Sequence, residues 1–403
     1  MRGQGWVGGV LLGLTACAPR SAPAPRPPDA PPAVATGTSS EDEIVPGEAL
    51  DEAEQALQAG ALARAVALFG RALASEGARA EELERAYLGL ASAHERLGDC
   101  GAAILAYETF LRRVPESERK VVVLARQGAC EAEIEQWERS AATFEAITRE
   151  PEQLPSVLVE AYARQGYALF NAERWDDADA ALLRADEVYR AAEAAGTERF
   201  ASHYFVGMAR FYRAAILHVR FRATKIELPE KAMEVAFKRK LELLNAAQEA
   251  YHETIRAQHM FWVSAAGFQL GHLFSELYDD LMYAPVPEWL DERQRQIYYR
   301  ELKKQLQPVF QKAVWVFEKN LETARRIGYE SPFIEQTQAK LAHIQAALHS
   351  DDADLGRPHP RLTDEGDVGD RGVAGERWTA NAEARPPAPP AERDLFVPPP
   401  TPL

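Results

Sequence analysis

Ala86-Tyr87-Leu88-Gly89-Leu90-Ala91, then Leu97-Gly98-Asp99, then Ala103, Tyr107, Phe110 and Pro115 form the stretch that decides how this chain folds. Its apolar residues recur three and four apart, the spacing of one helix face. Gly98 turns the chain. Ala91 and Ala103 are small where two helices must approach closely. Pro115 closes the unit, because proline cannot continue the donor ladder. The stretch therefore predicts two antiparallel helices joined by a tight turn.

The same pattern recurs along the chain at spacings of 37 or 38 residues. Upstream it falls on Ala53, Gly60, Ala65, Phe69 and Ala72. Downstream it falls on Gly128, Trp137, Ser140, Phe144 and Ile147, and then on Tyr162, Gly166, Leu169, Trp175, Ala178, Leu182 and Ala185. Trp137 and Trp175 occupy the aromatic position that opens the second helix of each pair. These units resemble the tetratricopeptide repeat (TPR), a helix–turn–helix unit of about 34 residues. Four of them fill residues 48–197, more than the three or so a solenoid needs to bury a continuous core.

Over residues 198–350 the helices lengthen. Candidates run 199–224, 230–258, 260–282 and about 290–326, with a last helix after Pro332. Trp262, Ala266, Leu270, Leu273, Leu277 and Leu281 trace one apolar face. Ala284-Pro285-Val286-Pro287 ends that helix, and Pro308 is expected to kink or split the next. The fold class is all-α: a TPR-type solenoid of helical hairpins, with elongated, degenerate TPR-like hairpins capping its C-terminal end.

Composition agrees with this and narrows the function. The 403 residues are 46% hydrophobic and carry 46 basic against 61 acidic side chains, a net charge of −15. That balance opposes nucleic-acid binding, which depends on neutralising phosphates with Lys and Arg. Beyond the N-terminus, no apolar run reaches the ~18–20 residues of a membrane-spanning helix.

The N-terminus has its own logic. Arg2 and the amino group precede a short apolar stretch, Val7 to Ala16, the length of a signal core. Leu14-Thr15-Ala16-Cys17 resembles the bacterial lipobox. The resemblance implies cleavage before Cys17 and acylation of the cysteine, with a fatty acid such as palmitate as the lipid. Ala18 rather than Asp after the cysteine implies the outer membrane, with the protein facing the periplasm. The alternative is the Ala16-Cys17-Ala18 cleavage site of an ordinary secreted protein. Residues 18–47, rich in Pro, Ala and Ser, read as a disordered tether spanning roughly 30 Å as coil or about 90 Å as polyproline helix. Residues 351–403, acidic and then Pro-rich, read as a disordered tail.

Residues 260–342 also resemble a block in large envelope TPR proteins of myxobacteria. Trp262, Ala265-Ala266, Gly271, Pro285-Val286-Pro287, Tyr298, Pro308, Lys312-Ala313 and Gly328 carry that likeness. Some members belong to gliding-motility machinery. The resemblance implies an envelope scaffold and brings no catalytic residue.

An enzyme needs a convergent constellation, and the sequence offers little toward one. His252-Glu253 with His259 superficially resembles a metalloprotease helix, but the zinc motif needs His at i and i+4. Here the histidines are two turns, about 10 Å, apart. No Gly-rich phosphate loop, G-x-S-x-G elbow or Cys–His pairing appears. The expectation is a non-enzymatic protein without cofactor or metal, apart from the lipid on Cys17.

Two cysteines remain once Cys17 is lipidated. Cys100 starts the second helix of one repeat and Cys130 lies on the first helix of the next. A disulfide between them would staple adjacent repeats in an oxidising compartment. The alternative is two buried small residues.

The TPR resemblance implies that positions 2, 5, 9, 12 and 13 of each first helix line an inner groove. These fall on Arg85, Leu88, Ser92, Glu95 and Arg96, then on Val122, Ala125, Ala129, Glu133 and Ile134, then on Glu160, Ala163, Tyr167, Phe170 and Asn171. The Lys and Asn carboxylate clamp of chaperone-binding members is missing. Leu88, Ile134, Tyr167 and Phe170 are the candidate partner-binding residues, suited to an amphipathic helix or an extended peptide; the alternative is that the aromatics are shared core. The functional expectation is a membrane-anchored scaffold for envelope proteins or peptides, within a motility or trans-envelope complex, with no nucleic acid and no small-molecule substrate. The alternative is an assembly factor for outer-membrane β-barrels or secretins.

Overall fold

A recurrent left-handed residue sets the hairpin turns. Gly60, Gly98, Glu135 and Glu173 all have φ between 57° and 78°, at the same place in four successive units. The residue after each donates its backbone N–H five residues back: Ala61 to Ala56, Asp99 to His94, Gln136 to Glu131 and Arg174 to Leu169, at 2.8–2.9 Å. Such a bond satisfies a helix-terminal carbonyl while reversing the chain.

The computed structural model describes residues 46–75, 77–286, 288–350, 357–358 and 360–363. The described residues lie in one compact unit, Val45–Leu403. Cys17 and most of the tether and tail lie outside them.

Four hairpins form from α1 (Pro46–Gln58) and α2 (Leu62–Ala74), α3 (Ala80–Arg96) and α4 (Cys100–Arg113), α5 (Lys120–Glu133) and α6 (Trp137–Thr148), and α7 (Pro155–Asn171) and α8 (Trp175–Ala195). A fifth pairs α9 (Tyr204–Ala223) with α10 (Glu230–Arg256), and a sixth pairs α11 (Met260–Met282) with α12 (Glu292–Ile327). Helix α13 (Pro332–Ser350) packs on α11 and α12. No strand occurs among the described residues. The fold is the all-α, TPR-type hairpin solenoid that the periodicity predicts.

Small residues let the helices close on one another. A Cβ on Gly128 would stand 2.8 Å from the Phe144 ring, and one on Gly271 2.4 Å from the Phe317 ring. On α5, α7 and α11 the first helix of the pair thus presents a bare backbone to a large side chain from its partner, Phe144, Leu182 and Phe317 respectively. Caps fix the ends: Asp99 accepts from the Ala102 N–H at 3.0 Å, and Asp291 and Gln294 form a reciprocal capping box at 2.8 Å.

Two expectations change. Pro308 does not split its helix, since α12 runs unbroken through it. Proline inside a helix costs about 3 kcal/mol, but Leu306, Phe310, Ala313 and Phe317 are buried on either side of it. Burying such side chains is worth about 1.5–3 kcal/mol for each large one, enough to hold the helix together. Second, part of the stretch read as tail is packed. Leu362 is fully buried, and its N–H and that of Thr363 donate to the Asp279 carboxylate at 2.9 and 2.8 Å. A lone leucine in Arg361-Leu362-Thr363 has no periodicity to announce it.

Candidate functional site

The helices that the repeat resemblance assigns to an inner groove are α3, α5 and α7. On α3, Arg85, Leu88, Ser92 and Glu95 are half-buried and Arg96 is exposed. On α5, Val122, Ala125 and Ala129 are half-buried, while Glu133 and Ile134 are exposed, Ile134 by 39%. Charged pairs tie these helices together across the face. Arg85 bonds Glu54 and Asp51 of α1 at 2.8 Å, and Arg126 of α5 pairs with Glu95 of α3.

On α7, Glu160, Ala163 and Phe170 are buried and Tyr167 and Asn171 half-buried, and α9 packs against the helix. Phe170 is only 1% exposed and lies against the Tyr212 ring, with centroids 5.1 Å apart. Tyr167 is half-buried between Trp137 and Tyr212. Phe170 is thus core rather than groove lining, and Tyr167 offers only part of its ring. Leu88 packs against the hairpin core but keeps some exposure. Of the four candidate residues, Ile134 is the open one.

A crevice of about 10 Å³, room for one water at most, lies between α5, α6 and α7, lined by Val121, Ala125, Phe144, Ile147, Val157 and Ala161 with Glu160 at its edge. That is below the ~300–1,000 Å³ of ordinary small-molecule pockets. Burial raises the Glu160 carboxyl against the opposing pull of Arg164, which bonds it at 2.8 Å.

Cys100 and Cys130 come together under this face. Their Sγ atoms are 2.8 Å apart, and Glu95 Oε1 lies 3.7 Å from the Cys130 sulfur. His252 and His259 do not converge: His252 faces Glu249 at 3.9 Å, and His259 meets the Tyr204 ring edge-on at 5.2 Å.

A second constellation, absent from the sequence reading, lies between α9, α10 and α11. His218, His272 and Glu276 bring three ligand-type atoms within 4.8 Å of one another. His218 Nε2 lies 2.7 Å from Glu276 and its Nδ1 lies 3.1 Å from the Tyr251 hydroxyl. Arg222 pairs with Glu276 and donates to His272 Nδ1 at 3.2 Å. Burial pushes His218 down to about 4, so the ring is neutral near pH 7. Burial acts to raise Glu276, but His218, Arg222 and His272 hold it well below the usual carboxylate range.

Two imidazoles and a carboxylate are donors that zinc or ferrous iron accepts. Here the Arg222 guanidinium already bonds two of the three, Glu276 and His272, placing a fixed positive charge beside the donor set. The set acts as a closed hydrogen-bonded brace. Beside it, Lys240 donates to the carbonyls of Phe221 and Thr224 at 2.8 and 2.9 Å and pairs with Asp280 at 2.7 Å. It thereby neutralises the C-terminal end of α9.

The only sequence signal for this brace was His272 and Glu276 four apart on α11. That face of α11 reads as its solvent side. In the structure Gln269, His272, Ser275, Glu276 and Asp279 are all buried.

No family model matches the chain, and no curated protein matches it. Among solved structures it is similar to a tetratricopeptide repeat protein from Parabacteroides merdae, at a TM-score of 0.33 and 13% identity, covering 74% of this chain and 98% of that one. A TPR protein from Bacteroides fragilis gives 0.31 and 14% identity over 66% of this chain and 98% of the other. The C-terminal part of a TPR protein from Cytophaga hutchinsonii gives 0.26 and 12% over 66% and 98%.

Proposed function

We propose that this chain is a lipid-anchored, non-enzymatic scaffold for protein–protein interaction in the bacterial cell envelope. It presents the inner faces of its second and third hairpins to a protein or peptide partner. The observation that supports this most is the contrast between α5 and α7. On α7, Glu160, Ala163 and Phe170 are buried, Phe170 against Tyr212 of α9, whereas on α5 Val122, Ala125 and Ala129 stay half-buried and Ile134, at its C-terminal end, is exposed. A face with half-buried apolar residues and paired charges suits an amphipathic helix or an extended segment. The lipobox-like Leu14-Thr15-Ala16-Cys17 supports attachment to the outer membrane. No helix among the described residues is long and apolar enough to cross a membrane. The block at 260–342 supports a place in a motility or trans-envelope complex.

One experiment addresses both halves. A photo-crosslinking residue is placed at Ile134 or, as a control, at Leu105, which is 65% exposed on α4. Each is made with Cys17 intact and with Cys17→Ser. Adducts at 134 and not at 105, and release of Cys17→Ser chains from membranes, are expected. Equal labelling at both positions would remove the inner face as the binding surface. Cys17→Ser chains that still sediment with membranes would remove the anchor.

A further inference from the structure

Cys100 opens α4 and Cys130 lies in the last turn of α5, two helices of adjacent hairpins that pack side by side. Their sulfurs, 2.8 Å apart, are closer than ordinary non-bonded contact, about 3.5–4.0 Å even for carbon. They stand within an ångström of the ~2.05 Å S–S bond. Both side chains are buried, at 8% and 5% exposure, in a cluster with Ala91, Ala103, Tyr107, Phe110 and Val123. Directly above them the Glu95 carboxylate accepts from the Tyr107 hydroxyl at 2.7 Å and pairs with Arg126.

We propose that Cys100 and Cys130 are a covalent modification site: a disulfide that fixes hairpin two to hairpin three and holds the Glu95–Arg126 pair on the inner face. Formation removes two protons and two electrons from the two thiols. The electrons pass to a protein disulfide of a thiol–disulfide oxidoreductase, which leaves as a dithiol. One cysteine thiolate attacks that disulfide to give a mixed disulfide, and the other displaces the enzyme's sulfur as the S–S bond closes.

The neighbouring thiol, burial and Glu95 hold the Cys130 thiol well above its ordinary value. The thiolate needed for attack is therefore scarce once α5 is seated. Exchange belongs to the stage before the hairpins close, and the finished bond is shielded from thiols in solution. The inner face gains rigidity from this, since α4 and α5 can no longer slide apart beneath Glu95. The proposal rests on the envelope reading only for its oxidant.

The test uses the full chain from its native host. Cells are quenched in acid, and the protein is alkylated with and without prior reduction. Expected are no adducts on Cys100 and Cys130 before reduction, two after it, and a linked pair of proteolytic fragments. Adducts on both cysteines before reduction would overturn the proposal. A second measurement guards against adventitious oxidation. Reductant lowers the urea midpoint of the wild type by about 1 M and leaves a Cys100→Ala/Cys130→Ala chain unmoved; an equal response in both would also overturn it. Membrane fractionation of Cys17→Ser reads the anchor separately, so the two readings fail by different outcomes.

Discussion

His218 has no exposed surface, and it titrates against its environment. Burial holds its folded value at about 4, below its ordinary 6.5, while Glu276, Arg222, His272 and Tyr251 surround the ring. Between those values the unfolded chain binds a proton that the folded chain refuses, so stability falls as pH drops through 6.5 toward 4. For one such group the loss between pH 7 and pH 5 is about 2 kcal/mol. Glu276 adds a loss of the same sign only below its own ordinary value of 4.5. His259, also lowered by burial, contributes in the same direction as His218. Urea unfolding of the wild type and of His218→Gln at the two pH values checks this. The variant is expected to be less stable at pH 7 and to lose most of the drop toward pH 5. A variant with the wild-type pH slope would show that His218 is not the group responsible.

At the scale of elements, α11 is the helix on which the C-terminal half depends. Its Asp279 carboxylate takes the Leu362 and Thr363 N–H groups and the Thr363 hydroxyl, clamping a non-helical segment onto the solenoid. Arg361 lies over the Tyr283 ring at 4.0 Å, and its carbonyl accepts from His343 of α13 at 3.0 Å. Removing the acceptor should release the segment. Asp279→Ala is expected to cost about 2 kcal/mol and to bring the Leu362 and Thr363 amides to the exchange rate of an unstructured peptide. Slow amides in the variant would mean that something else holds the segment.

The same helix shows what could be read from sequence and what could not. The hairpins were legible because each small or turn residue acts within its own unit: Ala91, Gly98, Ala103 and Gly128 answer to neighbours a few dozen residues away. Glu135 and Glu173 were harder to see as turns, because they adopt the left-handed conformation without being glycine. The brace was illegible for a different reason. His272 and Glu276 look like the wet side of an amphipathic helix until α9, with His218 and Arg222, covers them. Their partners are 50 to 58 residues distant, and no local period announces such a pairing. For Phe170 the sequence left groove lining and shared core both open, and Tyr212 of α9 is what makes that position core.

Across the whole molecule the hairpins do not share one core evenly. A continuous apolar cluster runs from Ala141 to Leu362, through α6 to α13, whereas the second and third hairpins rest on smaller separate clusters around Phe110 and Phe144. In a solenoid, stability is a sum of unit and neighbour-interface contributions, and weak units open first. Two glycines allow this to be measured at matched chemistry. A Cβ on Gly89 would meet the Phe69 ring at 2.1 Å, and one on Gly271 would meet the Phe317 ring at 2.4 Å. Both rings are fully buried and cannot swing away. Overpacking costs about 1–3 kcal/mol, which outweighs the ~1 kcal/mol that alanine gains over glycine in a helix. Both variants should therefore be destabilised, but over different regions. In native-state hydrogen exchange, Gly89→Ala should speed amides of α1 to α4 and leave α9 to α13 unchanged. Gly271→Ala should speed α9 to α13 together, because its collision lies inside the continuous cluster. Uniform acceleration along the chain by Gly89→Ala would instead mean that the solenoid opens as one cooperative unit, with no independent freedom for hairpins two and three.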